Sequence, residues 1–137
     1  MPSWGRPGDI HFDHDAAEAA VAALVAARFS LEVAWAAEDQ TARAALASWE
    51  GRAAEAFETS HAARGAVTEE VVVRLGLLQS SIESAIDDAV LEQARIDVLQ
   101  AEWDDERRRE IEAARAVEEA AGGRSMAVER QVSPGIR

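Results

Sequence analysis

The sequence predicts an all-α protein: an antiparallel helical hairpin with a long second helix, pairing into a four-helix bundle. Three observations carry this expectation. Prolines occur in the 137-residue chain only at positions 2, 7 and 134, so nothing between those ends forces a helix to stop. Apolar side chains recur every 3.5 residues from Val71 to Trp103, the period of helices packed against one another. Finally, SWEGRAAEAF, Ser48 to Phe57, breaks an alanine-rich pattern with a tryptophan and a glycine two residues apart. That is where a reversal belongs.

The elements follow in order. Residues 1–12 carry Pro2, Gly5, Pro7 and Gly8 and read as an irregular lead-in. The first helix is expected to begin at Asp13 or Asp15, because Asp15-Ala16-Ala17-Glu18 has the form of a capping box. It can run to Ala47, with Val21, Leu24, Val25, Leu31, Trp35 and Leu46 on one broad side. Arg28 and Glu38 interrupt this stripe at positions that should be apolar. At the turn, residues 48–51, Ser48 can cap the second helix and Gly51 can take the backbone angles of a reversal. Trp49 would close the apolar layer there, over Ala53 and Phe57.

Stepping through the second helix from Phe57 by four and three visits His61, Arg64, Thr68, Val71, Leu75, Leu78, Ile82, Ala85, Ala89, Glu92, Ile96, Leu99 and Trp103. Val67, Ile86 and Val90 widen the stripe beyond a two-stranded seam. Gly65 and Gly76 each cost about 1 kcal/mol relative to alanine, and a bend is expected near Gly65. The helical hairpin is assigned to residues 13–121, with Gly122 as a C-cap, and residues 122–137 to a disordered tail. At ~1.5 Å per residue, helices over 13–47 and 52–121 would span roughly 50 and 105 Å. The first can therefore cover about half of the second. The expected partner interface comprises Leu24, Leu31, Trp35, Val71, Leu75, Leu78, Ile82, Ile96, Leu99 and Trp103. Polar seam positions Arg28, Glu38 and Glu92 favour a heterologous helical partner over a homodimer.

Composition excludes several function classes. A net charge of −12 is the wrong sign for nucleic acid or an anionic membrane surface. No cysteine is present, which removes disulfides and thiolate chemistry, and lysine and tyrosine are absent too. No 18 consecutive residues are apolar, so no membrane span is expected. The N-terminus has no cationic segment followed by an apolar stretch, so no cleaved secretory signal is expected.

Nothing forms a catalytic constellation. His11, Asp13, His14 and Asp15 include metal-ligating types, but aspartates at a helix start cap free amides and favour the positive dipole end. His61 sits beside Arg64 and Thr68 on the seam, where a polar residue fixes helix alignment. Ser80 and Ser81 lack His-Asp partners in the pattern. Arg107, Arg108 and Arg109 are flanked by Asp104, Asp105, Glu106 and Glu110, which pair with them along one helix. No catalytic residue, cofactor or metal is predicted.

The Trp49-Glu50-Gly51 turn, followed by small residues as far as Phe57, resembles the WxG family of small acidic helical-hairpin proteins, the early secreted antigenic target-like substrates of type VII secretion. The resemblance covers about residues 10–100 and assigns Trp49, Gly51 and Phe57 to the turn motif. It implies two hairpins paired into a four-helix bundle, as a homodimer or with a sister protein, and export of the folded pair without a cleaved signal. It also implies no enzyme activity: such proteins are exported partners or carriers of larger effectors and toxins. Family substrates or their partners usually carry Tyr-x-x-x-Asp/Glu after the second helix. Here the nearest aromatic is Trp103, and Arg107 stands four residues on. Residues 101–121, a charged extension with Ile111 and Val117, lengthen the chain beyond the family pattern.

Overall fold

The computed structural model describes residues 4–132. It contains two helices, α1 (His14–Leu46) and α2 (Arg52–Val132), and no strand among the described residues. α1 begins at Asp13, whose Oδ1 accepts from the Ala16 amide at 2.9 Å. Asp15 lies in the first turn, beside the positive end of the helix dipole. Of the two expected starts, the structure uses Asp13.

α1 tightens at its end: the amides of Ser48 and Trp49 donate to the carbonyls of Ala45 and Leu46, three residues back. Gly51 then takes φ +102°, a conformation a side chain would resist, and its carbonyl accepts from Glu55. Gly51 therefore makes the reversal. Ser48, expected to cap α2, belongs instead to the closing turn of α1.

α2 passes through Gly65 and Gly76 without interruption. It also continues through Gly122 and Gly123 to Val132, where a cap and a disordered tail were expected. Two glycines lower helix propensity but do not remove a backbone donor as proline does, and Pro134 is the first proline after the turn. Residues 133–137 of the expected tail lie outside the described residues, as do residues 1–3 of the lead-in.

The chain divides into two compact units, residues 11–90 and residues 1–10 with 91–137. In the first, α1 and the beginning of α2 form a helical hairpin. In the second, residues 4–10 lie along α2. α1 is also long and apolar enough to cross a membrane, with an 18-residue stretch of mean hydropathy 1.5, none of it buried in the lone chain. Alanine and valine raise that mean although Arg28 and Glu32 break every long apolar run. Composition therefore does not support the expected absence of a span. One such helix is weak evidence of a span, because a bundle helix passes the same test.

Candidate partner-binding surface

Within residues 11–90 the two helices meet through a seam of uneven side chains. On α2 its half-buried positions are His61, Gly65, Thr68, Val72, Leu75, Gln79, Ile82 and Ile86, ending at the buried Ala89. This is again a 3.5-residue period, but every second position lies one residue beyond the series expected from hydrophobicity alone. The shift is explained by what α1 brings. A Cβ on Gly65 would stand 2.7 Å from Cζ2 of Trp35, and one on Gly76 would stand 3.4 Å from the Arg28 guanidinium. Gly65 thus admits the Trp35 indole, whereas a Cβ at Gly76 would meet Arg28 at ordinary contact distance. The expected bend at Gly65 is replaced by this close approach.

Arg28, out of place in an apolar stripe, donates from Nη1 to Oε1 of Gln79 at 3.1 Å while its Nε is buried without a partner. Glu38 pairs with Arg64 across the hairpin. Both polar seam positions of α1 that suggested a charged partner chain are therefore met inside the chain.

Four rings form a ladder toward the turn. Trp35 stacks on His61 at 4.7 Å, His61 on Phe57 at 6.0 Å, and Phe57 lies 5.7 Å from Trp49 at a tilt of 46°. His61 Nε2 lies 2.9 Å from Oδ1 of Asp39, and Arg43 donates to the other oxygen at 2.8 Å. The hydrogen bond from His61, then that from Arg43, hold the Asp39 carboxyl below its usual pKa. The Trp49-Glu50-Gly51 turn is thus architectural: Gly51 reverses the chain and Trp49 ends the ladder, remaining 43% exposed. It is a partial cover and not a buried plug.

The hairpin does not build a core from large side chains. Among the described residues only Ala42, Ala54 and Ala89 are buried, and no large side chain is fully enclosed. Phe29 is 67% exposed, Leu77 66% and Leu78 51%, with Val25, Val33, Val67, Val71, Val73 and Val90 also in solvent. Of the expected interface residues in this unit, Leu24, Leu31, Trp35, Leu75 and Ile82 lie half-buried on the facing sides of the hairpin, while Val71 and Leu78 lie exposed. Two open grooves flank the seam. One, of about 420 Å³, is lined by Ala37, Thr41, Ala45 and Phe57 with the Glu38–Arg64 pair; the other, of about 600 Å³, carries Glu32, Asp39 and Glu69 beside Trp35.

The other unit is held by polar contacts. Trp103 Nε1 donates to the Trp4 carbonyl at 3.1 Å, and Arg6 grips both oxygens of Asp104 at 3.1 and 3.3 Å. Gln100 Nε2 donates to the Pro7 carbonyl and to Asp9 Oδ1, both at 2.9 Å. Gln93 donates to the same Asp9 oxygen at 3.0 Å and accepts from the Ile10 amide at 3.2 Å. Ile96 and Trp103 are half-buried, and Leu99 is 36% exposed. Sequence reasoning passed over Gln93 and Gln100, since glutamine on a helix is ordinarily solvated. Their signal is the seven-residue spacing that puts both on one face with Ile96 and Trp103.

The other flagged residues have local structural roles. Asp13 caps α1, and Phe12 meets His14 edge-on at 4.8 Å. Arg108 pairs with Asp105, and Arg107 lies over the Trp103 ring at 5.2 Å. Among the described residues no group of three His, Cys, Asp or Glu is placed to hold a metal. Comparison with known protein families, with curated proteins and with solved structures finds no match to this chain.

Proposed function

We propose that this chain is a non-enzymatic, WxG-like helical-hairpin protein associated with type VII secretion, which acts by pairing with another helical chain into a four-helix bundle. Its role is that of secreted partner, or of carrier and chaperone for a larger effector or toxin. The observation that carries the pairing is the hairpin without a large buried side chain, its valines, leucines and Phe29 left in water. Each such side chain gains about 1.5–3 kcal/mol on full burial. A monomer of this design forfeits most of that gain, and a second hairpin across the exposed faces recovers it.

The secretion assignment rests on Trp49-Glu50-Gly51 and on the hairpin around it. The partner is a sister WxG-like protein or the helical N-terminal region of a toxin, with a homodimer as the alternative pairing. The protein would be cytoplasmic before export and leave without a cleaved signal. Sedimentation equilibrium tests the pairing, on the chain alone and co-expressed with its genomic neighbour. A stable complex supports it; a cooperatively melting monomer that ignores the neighbour sinks it.

A second reading is favoured by one observation. The aromatic nearest to an export motif, Trp103, is engaged with the Trp4 carbonyl and with Arg107, and no tyrosine is available. In that reading the chain is an intracellular helical adaptor or a structural coiled-coil subunit with no part in export. Recovery of the chain from culture medium of cells with and without the secretion ATPase separates the two.

A further inference from the structure

We propose that the face of α2 formed by Gln93, Ile96, Gln100, Trp103 and Asp104 is a recognition site for an extended peptide segment, which residues 4–10 occupy in the lone chain as an exchangeable internal ligand. A helix face that packs against a helix meets side chains, because the partner's backbone groups already bond one another. An extended segment presents its own amides and carbonyls unpaired, and needs donors and acceptors in return.

This face supplies them. Trp103 Nε1 and Gln100 Nε2 donate to the carbonyls of Trp4 and Pro7, and Gln93 Oε1 accepts from the Ile10 amide. Two side-chain contacts add selectivity: Asp104 takes a guanidinium in bidentate fashion, and the amides of Gln93 and Gln100 converge on a single carboxylate oxygen of Asp9. The site therefore reads an arginine and, three residues later, an acid, with a half-buried proline between them.

The occupant is held by hydrogen bonds at exposed and part-buried positions and by an ion pair whose two sides remain about half exposed. Contacts of that kind are individually weak and open locally without unfolding the rest. A segment of another chain with the same Arg-x-x-acid pattern competes for the site on equal chemistry. The proposal takes Ile96 and Trp103 out of the stripe expected to meet a partner helix, and it does not rest on the pairing proposed for the hairpin of residues 11–90.

The test uses the full chain and a synthetic peptide of residues 3–12. Arg6→Glu with Asp9→Leu releases the internal segment, and circular dichroism establishes that the helices remain. Isothermal titration should show 1:1 binding of the peptide to the released variant at least ten-fold tighter than to the unaltered chain. Adding Gln93→Ala and Gln100→Ala to the released variant should abolish the heat, and a peptide with the arginine and acid exchanged should not bind. Equal affinity for both chains, no binding to either, or binding that survives the glutamine changes overturns the proposal.

Discussion

The hairpin of residues 11–90 and the strapped end of α2 are built on the same helical period and solve opposite problems. In the hairpin the partner is a helix, so shape decides: Trp35 is large and Gly65 receives it. At residues 93–104 the partner is an extended segment, so hydrogen-bonding capacity decides, and glutamine occupies positions that a bundle would give to leucine. What a 3.5-residue stripe should contain thus depends on the kind of backbone it meets. A stripe of mixed character is not a poor heptad but a record of two partners.

The sharpest way to break this comparison is to remove the large member of a shape pair. Trp35→Ala should cost ~3 kcal/mol in chemical denaturation, at the lower end for a tryptophan because the ring is only half-buried. A loss below about 1 kcal/mol would mean that the ladder contributes little. Next come the glycines, where the structure predicts opposite signs. Gly65→Ala places a methyl group 2.7 Å from a rigid indole and should destabilise by about 1 kcal/mol net, overpacking outweighing the better helix propensity. Gly76→Ala meets the Arg28 guanidinium at 3.4 Å, an ordinary contact distance, and should be neutral or stabilise by up to ~1 kcal/mol. Thermal melts of both, at matched protein concentration, check the pair of signs.

Trp49→Ala should cost only about 1 kcal/mol, as expected of an aromatic left 43% exposed, and a loss like that of Trp35 would restore the buried-plug interpretation. The pH dependence sharpens the picture of the ladder's polar rung. Asp39 has a lowered pKa in the fold, so its contribution is present above the unfolded value of 3.8 and is lost as pH falls through the depressed folded value. Asp39→Asn should flatten that acid limb, measured by denaturation from pH 6 downward. The smallest effect belongs to the strap: Arg6→Ala should leave the global melting point unchanged and speed hydrogen exchange only at the Ile10 amide and its neighbours. A large shift in melting point would mean that the strap belongs to the core.

Much of the fold was legible because helices announce themselves. The Asp13 start, the Gly51 reversal and the absence of internal proline could all be read directly. The phase of the seam was not, and Val71 and Leu78 show why. Leu78 is more apolar than Gln79, and Val71 continues the four-and-three series that Leu78 belongs to, so a hydrophobic reading selects them. Yet the hairpin turns Val72 and Gln79 inward, because α1 fills the space itself with Trp35 and Arg28. Gly65 looked like a cost for the same reason: the benefit of its missing side chain belongs to another helix. The contacts of Gln93 and Gln100 were illegible from periodicity, since an extended segment leaves no period of its own. The far end of α2 was misjudged where glycine was treated as a stop.

The two glycine contacts also constrain how such a chain can change by descent. Trp35 lies seven residues from Arg28, and Gly65 eleven from Gly76, a mismatch of roughly 6 Å along the axes that the long arginine side chain spans. Sliding α1 by one heptad would bring Trp35 against Val72 or Glu58, neither of which leaves a gap. An insertion or deletion inside 28–35 or 65–76 would misalign one contact as soon as the other was kept. Those two intervals should therefore be inherited at fixed length, as should the arms on either side of Gly51 that bring Asp39 to His61.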